Sequence, residues 1–327
     1  MITRRALVLG SLATAAIASR GARAEGTHVL TATDVHVPGY PTVEAIKWID
    51  QSLRRETGER LGIRLYHSGQ LGRESDSIDL VRFGALDMTR VFGAALNNPF
   101  PLTRILSLPF VFESTPHLRR AVDGPIGREI LEGFAARGLV GLALYDSGAR
   151  SIYNTRRAVH EPADLHGLKL RVPPSDIFMG VVRGLGANPT PLPYGEVYSA
   201  LQTHLIDGAE NNWPSFHTTR QYEVARYWSE TTHAYTPEAL LLSRRSYDAL
   251  APGDRTLLVE VAAQSVPMMR GLWDAYEAKS REHVLAHGVL ANEVDRAAFQ
   301  RSVAPLIDDY RRDAALDRQY RAIRELA

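Results

Sequence analysis

Between Gly167 and Trp213 the hydrophobic and polar positions change period repeatedly, and each change marks an element. Leu168, Leu170 and Val172 alternate with Lys169 and Arg171, the period of two expected of a strand. Phe178 to Leu185 suits a short helix, closed by the turn Gly186-Ala187-Asn188-Pro189. From Glu196 to Leu205, apolar residues at 197, 200, 201 and 205 form a helical stripe. Ile206-Asp207-Gly208 then breaks that helix and opens a strand running to Asn211. The unit therefore reads strand, helix, turn, helix, strand, with Arg171 on one strand and Asn211 at the far end of another. A cation and an amide presented in this way suit a carboxylate, because a guanidinium offers a planar fork of donors that matches its two oxygens.

The flanking chain repeats the alternation. His28 to Asp34 predicts a strand, followed by the loop Val35 to Pro41 and a helix through Ile46, Ile49 and Leu53, capped by Thr42. Ile63 to Tyr66 predicts a second strand. The loop His67 to Glu74 then opens a helix bearing Ile78, Val81 and Leu86, and Met88 to Val91 predicts a third strand. A helix is expected from Ser114-Thr115-Pro116, a buried strand at Val140 to Tyr145, a crossing between lobes at Asp146 to Tyr153 and a capped turn at Glu161 to Leu165. Beyond the central unit, Pro214 to Tyr227 reads as a helical connector, and Thr232 to Pro237 leads to a strand at Leu240 to Ser243. A helical pattern from Asp254 to His287 stops at Gly288, a favourable residue just past a helix end. Its length, about 50 Å at 1.5 Å per residue, exceeds one small domain. Pro267 makes it either two helices or one helix kinked across both lobes. Asp295 to the end is polar amphipathic helix. Two helix-to-strand joints, at Asp87 and at Asp207, look alike and suggest two lobes of similar build around a shared cleft, where strand carboxyl ends meet.

Composition narrows the setting. Thr3-Arg4-Arg5, the apolar run Ala6 to Ala18 and Ala22-Arg23-Ala24 have the layout of an export signal, residues 1–24, cleaved after Ala24. The paired arginines fit either the twin-arginine or the general secretory route. The run is too short to span a bilayer. With no cysteine there is neither a lipid-attachment site nor a disulfide. Removing the four arginines of 1–24 takes the net charge from +1 to −3, which disfavours nucleic acid or an anionic membrane surface as partner.

No nucleophile elbow, paired-histidine zinc motif, Walker loop or dinucleotide fingerprint occurs, and the histidines lack metal-ligand spacing, so neither catalysis, cofactor nor metal is expected. Glu74, Glu196 and Glu210 could supply a glycosidase pair, but nothing sets two of them at catalytic separation. Several side chains are candidates for a cleft instead. Glu74 and Gln70 lie in Gly69-Gln70-Leu71-Gly72-Arg73-Glu74, and Arg90 lies at a strand end where Asp87 or Glu74 could pair with it. His36 belongs to the first loop, Trp213 could lay its indole on a sugar face or sit in the core, and Asn212 precedes it.

The run from Gly167-Leu-Lys-Leu-Arg171-Val-Pro through Gly186-Ala-Asn-Pro-Thr to Asp207-Gly-Ala-Glu-Asn211-Asn-Trp213 resembles the signature region of the solute-binding proteins of tripartite ATP-independent periplasmic (TRAP) transporters. The resemblance covers essentially the whole mature chain. It implies an α/β, two-lobed periplasmic binding protein fold with a ligand cleft between the lobes and one long helix spanning both. Lobe I would comprise 25–147 plus 237–275, and lobe II 148–236 plus 276–327. By the same resemblance Arg171 pairs with the ligand carboxylate, Arg150 is the second cation and Asn211 hydrogen-bonds the same group. Glu74, Arg90, His36, Asn212, Gln70 and Trp213 would contact hydroxyls or line the cleft. The motifs Gly39-Tyr40-Pro41-Thr42-Val43, Met88-Thr89-Arg90-Val91 and Ala209-Glu210-Asn211-Asn212-Trp213 resemble the sugar-acid, hexuronate-binding branch. The implied protein is a monomeric periplasmic carrier that closes on a small organic acid and delivers it to the TRAP membrane subunits. Alternatives are a carrier for a C4-dicarboxylate, keto or aromatic acid, one that feeds a signalling receptor, or a secreted sugar-acid hydrolase.

Overall fold

The computed structural model describes residues 27–327; the expected export signal lies outside them. The chain forms a two-lobed α/β protein with two mixed sheets. The first is ordered β2-β1-β3-β10-β4 and uses β1 (His28–Thr33), β2 (Leu61–Tyr66), β3 (Met88–Phe92), β4 (Leu139–Tyr145) and β10 (Glu238–Ser243). The second is ordered β11-β9-β5-β8-β6-β7. It uses β5 (Arg150–Asn154), β6 (Lys169–Val172), β7 (Asn188–Pro191), β8 (Gly208–Asn211), β9 (Tyr227–Ala234) and β11 (Leu290–Asn292). In each sheet a helix returns the chain to a parallel neighbour: β1 pairs parallel with β2 and β3, and β6 with β7 and β8. Strands β10 and β5 run antiparallel to both of their neighbours.

The two similar joints do the same work in the two sheets. Asp87, just before β3, accepts the backbone N–H of Thr31 on β1 at 2.7 Å, and Asp207, just before β8, accepts that of Lys169 on β6 at 2.9 Å. Each carboxylate thereby pins the entering strand to its parallel neighbour.

Several local expectations are corrected. The first helix, Pro41–Thr57, starts one residue early because Pro41 occupies its first turn, and the Thr42 hydroxyl donates to Asp34 Oδ2 at 2.8 Å instead of capping. The connector after Trp213 is helical only at Trp213–Thr218 and Gln221–Glu223; from Tyr227 the chain is strand β9. That strand buries Ser229, Thr231 and His233, so its inward face carries no apolar alternation to read. The C-terminal segment is two helices, Arg296–Tyr310 and Ala314–Arg324. The second lies against lobe I: His117 Nε2 is 2.8 Å from the Ile323 carbonyl, and Arg318 and Arg324 pair with Glu129 and Glu113.

The long helix is continuous, Pro252–Ala286, and passes through Pro267 unbroken. Leu258, Val261, Ala262, Met269 and Trp273 belong to the lobe I core that Ile46, Ile49 and Leu240 also share. Val284, near its other end, belongs to a lobe II core with Phe216 and Trp228. One continuous element is thus anchored in both lobes.

The chain crosses at 146–149, next to this helix. Gly148 has φ +60°, and a Cβ there would meet Glu277 Oε1 at 2.3 Å, so both the backbone and the space require glycine. Burial, aided by Asp274, pushes the Glu277 carboxyl up to about 7 although the Ala149 N–H donates to it. A carboxyl whose folded pKa is raised contributes stability that is complete below its unfolded pKa, near 4.5, and is lost as pH rises through about 7. Glu277→Gln is therefore expected to be about 2–3 kcal/mol more stable than the wild type at pH 8 and equally stable near pH 4. Urea unfolding across that range measures the difference.

Candidate binding cleft

The strand ends converge between the lobes. Arg90 and Phe92 come from the carboxyl end of β3, Arg171 from that of β6 and Asn211 from that of β8, while Glu238 and Arg150 open β10 and β5. The cavity they line has a volume of about 30 Å³. His36, Glu74, Arg90, Phe92 and Glu238 line it from lobe I. Arg150, Arg171, Tyr194, Asn211, Asn212 and Ser215 line it from lobe II. A wider vestibule, lined by Ser68, Gly69 and Gly72 to Ser75 on one side and Pro173, Pro174 and Pro193 to Glu196 on the other, leads out to solvent. Contacts between the lobes ring the cavity: Asn97 to Ser175 at 2.8 Å, Tyr40 to Ser215 at 3.1 Å, and Arg73 to Glu196 at 2.8 Å across the vestibule.

On the lobe I wall, Arg90 is 1 % exposed. Its guanidinium donates to Asp34 and to Glu74 Oε1 at 2.9 Å, and lies 3.2 Å from Glu238 Oε2. Burial alone would lower its pKa, but the three carboxylates hold it well above the usual range. Arg90 is therefore a permanently charged post for acidic side chains. Glu74 also accepts the Phe92 N–H at 2.9 Å. His36 stacks on Tyr40 at 3.6 Å between ring centres and places Nε2 3.7 Å from Glu238.

The lobe II wall has two arginines in opposite circumstances. Arg150 has spent four of its five donors. It holds Glu210 through Nε at 2.6 Å and Nη2 at 2.8 Å, donates to the Glu210 carbonyl at 3.0 Å and to Asn211 Oδ1 at 2.9 Å, and stacks 4.3 Å above the Phe92 ring. Burial opposes its charge, yet Glu210 keeps its pKa raised. Arg171 is 4 % exposed, and its one protein hydrogen bond runs from Nε to the Leu192 carbonyl at 2.9 Å. Among the described residues no carboxylate pairs with it within 4 Å. Burial pushes its pKa below the ordinary value, with Glu210 only partly compensating. Asn211 spends its Oδ1 on Arg150 and on the Asn212 N–H, so its –NH2 is the group left for the cavity.

The candidates thus separate. Arg171, Arg150, Asn211, Glu74, Arg90, His36 and Asn212 all line one cavity. Asn212, however, is spent on structure: its Oδ1 caps the helix at Trp213 by accepting the Ser215 N–H, and its Nδ2 donates to the Ser147 carbonyl at 2.9 Å. Gln70 and Trp213 are corrections. Gln70 is exposed on the turn after β2 and lines neither the cavity nor the vestibule. Trp213 stacks on Trp228 at 3.7 Å inside lobe II, where two indoles cover each other better than either would cover a ligand. The pairing roles of Asp34, Glu210 and Glu238 are not legible in the sequence. Each is an acid on or beside a strand whose role depends on an arginine 56, 60 or 148 positions away, and no local pattern carries that pairing. The three glutamates of the glycosidase alternative are also accounted for: Glu74 serves Arg90, Glu210 serves Arg150, and Glu196 pairs with Arg73 at the vestibule.

The contrast between the arginines predicts opposite effects on stability. Arg150→Met leaves Glu210 buried with only His233, at 3.5 Å, beside it and is expected to cost about 3–5 kcal/mol. Arg171→Met removes an uncompensated buried charge and is expected to leave the ligand-free protein equally stable or about 1 kcal/mol more stable. Guanidinium unfolding of both variants separates the two; a large loss at Arg171 as well would show that its charge is satisfied within the protein.

Residues 32–313 match the family model described as bacterial extracellular solute-binding protein, family 7. A solute-binding protein of Chromohalobacter salexigens is 37% identical over 85% of this chain and 83% of its own length. Among solved structures, a TRAP periplasmic solute-binding protein from a Bradyrhizobium species, in complex with galacturonate, is 45% identical. It covers 91% of this chain and 100% of its own, at a TM-score of 0.89. One from Roseobacter denitrificans with bound β-D-glucuronate is 37% identical and covers 90% of this chain and 99% of its own, at a TM-score of 0.88.

Proposed function

This chain belongs to the family 7 bacterial extracellular solute-binding proteins, the binding component of TRAP transporters, and we propose that its ligand is a hexuronate, galacturonate or glucuronate. The family is one of extracytoplasmic carriers that bind small acids and work with membrane subunits; it is not one of enzymes.

The observation that carries the ligand reading is Arg171, a buried guanidinium whose two terminal nitrogens have no acceptor among the described residues, lining the cavity beside the free amide of Asn211. Such a group is costly to bury and calls for an anion. A carboxylate accepts both terminal N–H groups bidentately, and the Asn211 –NH2 reaches the same oxygens. Arg150, already neutralised by Glu210, adds one remaining donor and orients Asn211. On the opposite wall Glu74, Glu238 and His36 are the acceptors and donors for sugar hydroxyls. The likeness of the whole chain to relatives solved with hexuronates supports that ligand class.

In this reading the ligand enters by the vestibule, its carboxylate meets Arg171 on lobe II, and its hydroxyls draw lobe I onto it by a hinge motion. The lobes are 25–147 plus 237–275 and 148–236 plus 276–327, with the last helix strapped back on lobe I. The crossings at 146–149 and 235–237 and the long helix are the parts that flex. The carrier works as a monomer in the periplasm after a signal of residues 1–24 is removed.

Thermal shift followed by calorimetry with galacturonate, glucuronate, the neutral hexoses, C4-dicarboxylates and keto acids tests this, since a ligand bound only by the folded state stabilises it. A uronate is expected to bind and the matching neutral hexose is not. Arg171→Ala is expected to weaken uronate binding about thirtyfold or more. Unchanged affinity in that variant, or a response only to acids that are not sugars, overturns the assignment.

A further inference from the structure

The two walls of the cleft carry opposite charge. On lobe I one cation, Arg90, serves three carboxylates, Asp34, Glu74 and Glu238. On lobe II two cations, Arg150 and Arg171, share one carboxylate, Glu210. The lobe I wall is therefore negative, and it stays negative even when His36, the histidine facing Glu238, carries a proton. Two oxygens on that wall accept no hydrogen bond among the described residues. Glu238 is 2 % exposed, and its Oε2 accepts none although it is ion-paired with an Arg90 nitrogen at 3.2 Å. Glu74, which lines the cavity, uses Oε1 twice, for Arg90 and for the Phe92 N–H, and Oε2 for neither. Despite burial, Arg90 and His36 hold the Glu238 carboxyl below the ordinary range, so it stays ionised. An ionised carboxylate accepts from a hydroxyl and repels another carboxylate.

We propose that Glu238, together with Glu74, makes the cleft selective for acids with a single carboxylate, accepting a hydroxyl at the end of the ligand remote from Arg171 and rejecting a second carboxylate there. The proposal rests on the hexuronate reading and deepens it. The compounds it separates are uronates and the aldarates of the same carbon skeleton, in which the other terminal carbon is also a carboxylate. With one carboxylate on Arg171 and Asn211 of lobe II, the wall opposite presents Glu74, Glu238 and the committed Arg90 to the rest of the molecule. Since like charges juxtaposed in a desolvated site are strongly unfavourable, discrimination comes from repulsion as much as from the hydroxyl contact.

Calorimetric titration of the full mature chain with galacturonate, glucuronate, galactarate and glucarate at pH 7.5 is the test, repeated on Glu238→Gln and Glu74→Gln. The wild type is expected to bind a uronate at least about thirtyfold more tightly than its aldarate. Glu238→Gln is expected to shrink that ratio about fivefold or more, whatever it does to absolute affinity. Glu74→Gln is expected to act in the same direction and serves if Glu238→Gln does not fold. An aldarate within threefold of its uronate in the wild type overturns the inference, as does a ratio unmoved in a folded variant whose affinities for both acids fall together. Failure of the wild type to bind either uronate overturns the hexuronate reading itself, and is distinguishable because no ratio can then be formed.

Discussion

A positive charge held out of water without a partner is the constraint on which the cleft depends. Arg171 sits at 4 % exposure with one backbone acceptor. An isolated buried ion is so unfavourable that the surrounding fold must impose it. Strand β6 does so, because its pairing with β7 on one edge and β8 on the other fixes the side chain toward the cleft. Every other charge in the cavity is arranged so as not to relieve it. Glu210, the nearest acid on its own lobe, is committed to Arg150 through two charge-assisted bonds. The acids of the other lobe are committed to Arg90. The free energy that the folded chain leaves unspent at Arg171 is available to a ligand.

How much of this the sequence discloses depends on the range of the interaction involved. The alternation of Leu168, Leu170 and Val172 sets β6, and the stripe broken at Ile206-Asp207-Gly208 sets the helix and strand that follow, because both patterns are local. The long helix is legible for the same reason, although its continuity through Pro267 is not, since the packing of Met269 and Trp273 in the lobe I core carries the helix past the missing N–H. Strand β9 escapes because Ser229, Thr231 and His233 face inward. Local composition there says loop, and tertiary hydrogen bonds, such as Val159 N–H to Ser229 Oγ at 3.0 Å, say strand.

The site divides along the same line. Arg171, Arg150 and Asn211 come from motifs whose resemblance to a family is strong, and all three line the cavity. What a motif cannot express is which arginine is free. Arg150 and Arg171 are equivalent as letters, and only the bidentate grip of Glu210, brought in by the antiparallel pairing of Ile152 with Glu210, distinguishes them. Which of the two readings of Trp213 holds is hidden for a related reason, since its partner Trp228 lies on the strand that composition hides.

The position of β10 has a consequence for how the chain becomes a protein at all. In the first sheet β10 is the strand between β3 and β4, antiparallel to both, and β4 has no other neighbour there. The sheet of lobe I is therefore incomplete without residues 238–243: no shorter N-terminal piece of the chain can pair β4 into it. The long helix that completes the same lobe lies later still in the chain. One central strand from the last third of the sequence thus acts as the clasp that joins β4 to the rest of the sheet.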